Sequence, residues 1–207
     1  MGLYFKKTLG CGVQIVVWEL TESLQDLEYA VALDPMNREA FEAISVPSKR
    51  REFLAGKFVL EKACAILNIN FKGIEKDEHG KPHLKGREYE ISLTHTEEFI
   101  AVAFSKDKPV GIDLEFPRQQ IFRVLPRLYS NEEVEAVGND LDKATIYWSA
   151  KEALYKLYGK RSVDFKKNLQ LTSSNESLHG TIEMEGYKST HQLFIERVEA
   201  YFLVIAY

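Results

Sequence analysis

Three carboxylates and an amine in this chain are spaced so that regular secondary structure brings them toward one point. In the stretch Gly111-Ile112-Asp113-Leu114-Glu115, the apolar Val110, Ile112, Leu114 and Phe116 alternate with Gly111, Asp113 and Glu115. A period of two predicts a strand with both carboxylates on one face, roughly 7 Å apart. In the stretch Trp148-Ser149-Ala150-Lys151-Glu152-Ala153-Leu154-Tyr155-Lys156, Glu152 and Lys156 stand four apart and are neighbours on a helix. Such a set suits a divalent cation and a polyphosphate, because hard cations take oxygen ligands and phosphate charge needs positive groups to offset it.

The helix has a plainer reading. At about 100° per residue, Ile146, Ala150, Ala153, Leu154 and Leu157 form an apolar stripe, and Tyr147, Trp148, Tyr155 and Tyr158 widen it over most of the circumference. Thr145, Ser149, Glu152 and Lys156 remain as a narrow polar strip. A surface Glu/Lys pair at this spacing is common and contributes only about 0.2–0.5 kcal/mol, so the helix alone reads first as a solvated ion pair. The Asp-x-Glu strand is what demands more.

The elements that would hold these residues are mixed α and β. The first strand is expected to take in Leu9-Gly10-Cys11 and run on through Val13 to Trp18. Helices are expected over about 37–45 and 47–67, a turn around Asp77-Glu78-His79-Gly80-Lys81-Pro82, and strands over 89–94, 99–105 and 110–115. Helices at about 118–127, 130–138 and 141–158 follow, then strands at 168–173, 179–186, 191–197 and 200–206. Residues 98–104 and 200–206 echo one another, each after a long helix. The most polar connector, Ser105-Lys106-Asp107-Lys108-Pro109, divides the chain into lobes 1–105 and 106–207.

The chain has 207 residues, 45% hydrophobic and 28% charged, which are globular values and enough for a sizeable core. A net charge of -4 argues against non-specific nucleic-acid binding. Only Cys11 and Cys64 are present, so reduced thiols are expected rather than a disulfide framework. No apolar run reaches the ~20 residues that span a bilayer. Lys6 stands where a myristoylation pattern needs Ser or Thr, and Lys6 and Lys7 interrupt any signal-like apolar segment before Cys11. A cytoplasmic protein without membrane or nucleic-acid partners is the expectation.

The strand and the helix, in this order, resemble the 4′-phosphopantetheinyl transferase superfamily, with its (V/I)-G-(I/V)-D-x-E strand and W-S-x-K-E-A-x-x-K helix. Further blocks are similar: Arg50-Arg51-Glu52-Phe53-Leu54-Ala55-Gly56-Lys57 to an Arg-rich helix, Gly80-Lys81-Pro82 to a G-K-P turn, Ser92-Leu93-Thr94-His95-Thr96 to an S-x-S-H-S strand, and Leu128-Tyr129-Ser130-Asn131-Glu132-Glu133 to an F-S-x-x-E segment. Together they run from about residue 48 to 160. Thr94 and Thr96 stand where the family often has Ser, and Lys57 where it often has Arg, which loses the planar fork suited to bidentate phosphate contact.

The resemblance implies the longer, two-lobed type of the family: an α+β fold made of a pseudo-twofold pair of lobes, each with a mainly antiparallel sheet and a long helix, acting as a monomer. It implies transfer of the 4′-phosphopantetheine arm of coenzyme A to a serine of an apo acyl or peptidyl carrier protein, as a holo-acyl-carrier-protein synthase does, releasing adenosine 3′,5′-bisphosphate. Position by position, Asp113, Glu115 and Glu152 become ligands of Mg²⁺ (or Mn²⁺). Glu152 becomes the base for the carrier serine and Lys156 the group that neutralises or protonates the departing phosphate. Lys81, Thr94 and His95 would contact coenzyme A phosphates, with Arg51 and Lys57 toward the 3′-phosphate. Carrier proteins being acidic around their serine, the stretch Arg118 to Arg127, cationic and apolar together, is the expected docking surface; an amphipathic helix packed on its own lobe reads equally well. Two other classes use similar residues: a non-catalytic module binding coenzyme A or carriers, and a Mg²⁺-dependent hydrolase of nucleotide pyrophosphates.

Overall fold

A computed structural model describes residues 2–174 and 177–207. The strands are β1 (Leu3–Thr8), β2 (Gln14–Glu19), β3 (Ile74–Lys76), β4 (Pro82–Leu84), β5 (Glu90–His95), β6 (Phe99–Ser105), β7 (Gly111–Glu115), β8 (Leu169–Ser174), β9 (Ser177–Met184), β10 (Tyr187–Val198) and β11 (Tyr201–Ala206). The helices are α1 (Leu24–Ala30), α2 (Pro35–Glu42), α3 (Pro47–Ile66), α4 (Leu125–Leu128), α5 (Asn131–Val137), α6 (Leu141–Tyr158) and α7 (Phe165–Asn168). One antiparallel sheet has the order β1-β2-β6-β5 and a second the order β7-β11-β10-β9-β8; β3 and β4 form a small hairpin. The first large sheet is drawn from the chain before Lys106 and the second from the chain after it.

Alternation along the central strands sorts side chains into three apolar layers. Val16, Ile100, Val102 and Phe104 face α3, where Leu54, Val59 and Leu60 cover them. Ile15, Val17, Phe99, Ala101 and Ala103 face the other way and meet Ile112, Leu114, Leu203 and Ile205 of the second sheet. On the far side of that sheet, Val204 and Ala206 pack under Ala150, Ala153 and Leu154 of α6. The architecture is thus helix, sheet, sheet, helix. The echoing segments 98–104 and 200–206 supply interior strands, β6 and β11, whose buried faces meet in the middle layer. Among the described residues no helix is long and apolar enough to cross a membrane.

Two expected elements are corrected. The segment from Leu9 to Trp18 is not one strand: Leu9-Gly10-Cys11-Gly12-Val13 forms the turn of the β1–β2 hairpin. Gly12 takes φ +88, and the Gly12 N–H donates to the Leu9 carbonyl at 2.9 Å. The expected helix over 118–127 is broken into a 3₁₀ turn, Gln119–Arg123, and the short α4. Pro126 explains the break: it lacks an N–H and its ring excludes the carbonyl four residues back, so a new helix must begin around it.

The two thiols sit in opposite environments. Cys11 is exposed and Cys64 is buried in α3, where desolvation pushes its thiol up to about 11. The thiolate is the reactive species. A disulfide reagent at pH 8 is therefore expected to titrate one thiol per native chain and two after unfolding; two rapid thiols in the native protein would show that the α3 core opens.

Candidate active site

The site forms where β5, an edge strand of the first sheet, lies against β7, an edge strand of the second. Two side chains stitch the seam. Ser92 Oγ accepts the Ile112 N–H at 3.1 Å, and Thr94 Oγ1 donates to Asp113 Oδ1 at 3.3 Å. On its other face β7 touches α6 at backbone distance. A Cβ on Gly111 would lie 1.8 Å from the Ala153 carbonyl oxygen and 2.6 Å from the Leu157 nitrogen, so only glycine permits this approach. The helix is capped at its start by Asp140, which accepts the Lys143 N–H, and ends at Gly159 in the left-handed conformation. Glu152 and Lys156 are thereby delivered to the carboxylate end of β7.

Asp113 is 4% exposed. Its Oδ1 accepts from Thr94 and from Lys156 Nζ, the latter at 2.7 Å, while its Oδ2 is buried with no hydrogen-bond partner. Lys156 Nζ also donates to the Ile112 carbonyl at 3.1 Å. Burial pushes the Glu115 carboxyl up, and the nearby Asp113 charge adds to the effect. Glu152 is pushed up to about 7, chiefly by burial and then by Asp113; Lys156 opposes this and Glu115 adds to it. Three mutually repelling carboxylates with one ammonium among them form a site short of positive charge.

Among the described residues, no three His, Cys, Asp or Glu side chains are gathered into a cluster that would hold a metal as they stand. The donor set nonetheless fits a hard cation: all three groups are carboxylates, and Asp113 Oδ2 is a buried oxygen without a hydrogen-bond partner, which a bound cation would satisfy.

The expected phosphate-contacting residues are distributed unevenly around this point. Thr94, His95, Arg51 and Lys156 line a cleft of about 630 Å³ together with Asp113 and Glu115. His95 Nε2 lies 3.0 Å from Glu52 Oε1. Burial holds the imidazole below its ordinary value, with Lys156 and Lys49 acting in the same direction against Glu52. Arg51 has turned inward: it donates to the backbone carbonyls of Glu22 at 2.9 Å, Leu20 at 2.8 Å and Glu97 at 3.4 Å. Lys81 lines a separate cavity of about 300 Å³ on the Tyr155 side of Lys156, and its Nζ donates to the Leu157 carbonyl at 3.2 Å. Lys57 is not brought to the cleft; it lines a neighbouring apolar cavity with Phe53 and donates to Asn37 Oδ1 at 2.7 Å.

Sequence reasoning overlooked the role of two residues of α6. Lys151 is 0% exposed, and its ammonium donates to the carbonyls of Leu128, Phe165 and Leu169 at 2.7 to 2.9 Å and pairs with Glu133 at 2.8 Å. Glu133 in turn accepts the N–H groups of Ser130 and Leu171. Trp148 donates its indole N–H to Glu115 Oε1 at 3.0 Å. The near-complete apolar girdle of the helix was the available signal, because a lysine set among aromatic residues must be buried and must find partners.

The fold and site together define an α+β protein with an acidic, lysine-flanked cleft at the seam of two antiparallel sheets. Residues 109–203, from just before β7 into β11, match the family model of the 4'-phosphopantetheinyl transferase superfamily. The chain is also similar to the 4'-phosphopantetheinyl transferase HetI of Nostoc sp., at 29% identity over 154 residues covering 66% of this chain and 62% of that protein. It is 36% identical over 78 residues to the Holo-[acyl-carrier-protein] synthase of Bacillus pumilus, covering 31% of this chain and 64% of that one. The chain thus spans somewhat under two thirds of the length of each relative. Its C-terminal half, residues 109–203, is thus similar to the 4'-phosphopantetheinyl transferase superfamily.

Proposed function

We propose that this protein transfers the 4′-phosphopantetheine arm of coenzyme A to a serine of an apo acyl or peptidyl carrier protein, releasing adenosine 3′,5′-bisphosphate. The observation that carries this reading is the meeting of Asp113, Glu115, Glu152 and Lys156 at one seam, within the residues 109–203 that match the superfamily's model. Asp113, Glu115 and Glu152 would hold Mg²⁺ or Mn²⁺, which when bound supplies neutralisation of the pyrophosphate charge. Glu152 would take the proton of the carrier serine, directly or through one water. The serine oxygen then forms a bond to the phosphorus bearing pantetheine as the bond to the bridging oxygen breaks. Lys156 would stabilise the negative charge left on the departing phosphate. Thr94 and His95 line the same cleft and are the nearest candidates for phosphate contact; Lys81 lines the separate cavity that shares Lys156 with it, and Arg51 supports its wall. Lys57 stands furthest out, with any 3′-phosphate role requiring the ligand to reach the adjoining cavity.

The test is the mass of an apo carrier protein after incubation with this protein, coenzyme A and Mg²⁺. Gain of one phosphopantetheinyl arm is expected. An unmodified carrier with intact coenzyme A would favour a binding module, and coenzyme A cleaved without a carrier would favour a hydrolase.

The carrier would dock over the segment between β7 and α5. Phe116 and Val124 are exposed there, and Arg118, Arg123 and Arg127 of the same segment are exposed as well. Exposed apolar and cationic side chains in one segment suit an acidic partner. Arg123→Glu with Arg127→Glu is expected to raise KM for the carrier about tenfold or more, while the affinity for coenzyme A stays unchanged. Equal loss of both would instead indicate damage to folding.

A further inference from the structure

Asp113 and Glu115 belong to one strand, but they are held very differently. Asp113 is gripped by Thr94 and Lys156. Glu115 sits at the open end of β7, and among the described residues its one side-chain hydrogen bond comes from the Trp148 indole. A glutamate side chain has three rotatable bonds and loses freedom when it is fixed. An unrestrained Glu115 would therefore spend part of its time away from any cation shared with Asp113 and Glu152.

The indole is itself well placed to restrain it. Trp148 stacks on Phe165 with ring centroids 6.0 Å apart and an interplanar angle of 26°. Phe165 leans on Tyr155, 5.5 Å away, and its carbonyl accepts from the buried Lys151 ammonium at 2.8 Å. The ring thus has a fixed support behind it and directs its one polar atom at Glu115 Oε1, leaving Oε2 free of any protein donor among the described residues.

We propose that Trp148 is a positioning residue: its indole N–H holds the Glu115 carboxylate in place for a divalent cation. This inference rests on the cation reading given above, and Trp148 acts through Glu115 without contact to substrate. Groups that orient a metal-binding carboxylate typically change metal affinity by about 10–100-fold when they are lost. Tryptophan is needed because phenylalanine keeps the stack but has no donor, whereas the site requires both.

The test is Mn²⁺ binding to the whole chain without coenzyme A, measured by electron paramagnetic resonance of the free ion. Wild type, Trp148→Phe, Glu115→Gln and the double variant are compared, with thermal melting as a check on folding. Trp148→Phe is expected to melt near the wild-type temperature and to bind Mn²⁺ about 10–100-fold more weakly. In the Glu115→Gln background the same change should cost little further affinity, because its target is already altered. Wild-type affinity in Trp148→Phe, or the same fold loss in both backgrounds, overturns the assignment of Trp148 while leaving the cation reading intact. Absence of Mn²⁺ binding to the wild-type chain overturns both.

Discussion

Glu152→Gln is expected to abolish transfer while leaving the protein as stable as before. The substitution preserves shape and removes a charge from a place where charge is unfavourable. Glu152 is desolvated beside Asp113 and Glu115, and its carboxyl is pushed up to about 7. Neutralising it relieves like-charge repulsion, so the melting temperature near neutral pH should hold or rise. The chemistry should suffer twice. A group that accepts the serine proton contributes about 10²–10⁴-fold to rate, and an amide neither accepts that proton nor supplies a full negative charge to a cation. A loss of at least 10²-fold in the rate of carrier modification, with an unchanged melting profile, is therefore expected. A well-folded Glu152→Gln protein with activity within a few-fold of wild type would remove Glu152 from its proposed role.

The parts of this site that could be read in the sequence are those set by local geometry. The period of two in Val110 to Phe116 needs only a strand, and the observed β7 carries Asp113 and Glu115 as that period requires. Helix α6 spans the expected 141–158, because Asp140 and Gly159 mark its ends by capping chemistry written at those positions. Helix α1, by contrast, was not anticipated, although Ser23 and Asp26 form a capping box; its length of seven residues leaves little periodicity to see. Partners distant in the chain were the other blind spot. Nothing near Arg51 announces that its guanidinium will be consumed by the carbonyls of Leu20, Glu22 and Glu97. Nor does spacing reveal that Lys151 closes onto Leu128, Phe165 and Leu169, since these come together only when α4, α7 and β8 pack around α6. Residue type announced the cleft's chemistry, and packing decided which basic groups are free to take part in it.

Gly111→Ala is expected to be the most damaging single-methyl change in the chain. Its Cβ would fall 1.8 Å from the Ala153 oxygen, 2.6 Å from the Leu157 nitrogen and 2.9 Å from the Ala153 carbon, all of them backbone atoms of α6. A clash with backbone has no rotamer that relieves it; β7 and α6 must separate. Both are pinned: β7 by its register with β11 and by Ser92, and α6 by the Lys151 and Glu133 ties. Overpacking typically costs about 1–3 kcal/mol and occasionally more, and this case belongs at or above the upper end. Gly180→Ala provides the comparison, since the three atoms nearest its Cβ all belong to the Leu154 side chain, at 2.4 to 2.9 Å, and a side chain can shift where backbone cannot. Thermal and denaturant unfolding should rank the two variants with Gly111→Ala far less stable. Any folded Gly111→Ala fraction should also bind Mn²⁺ poorly, because the separation that accommodates the methyl moves Asp113 and Glu115 away from Glu152. If Gly111→Ala is as stable as Gly180→Ala, the close contact of strand and helix is not what joins the two halves of the site.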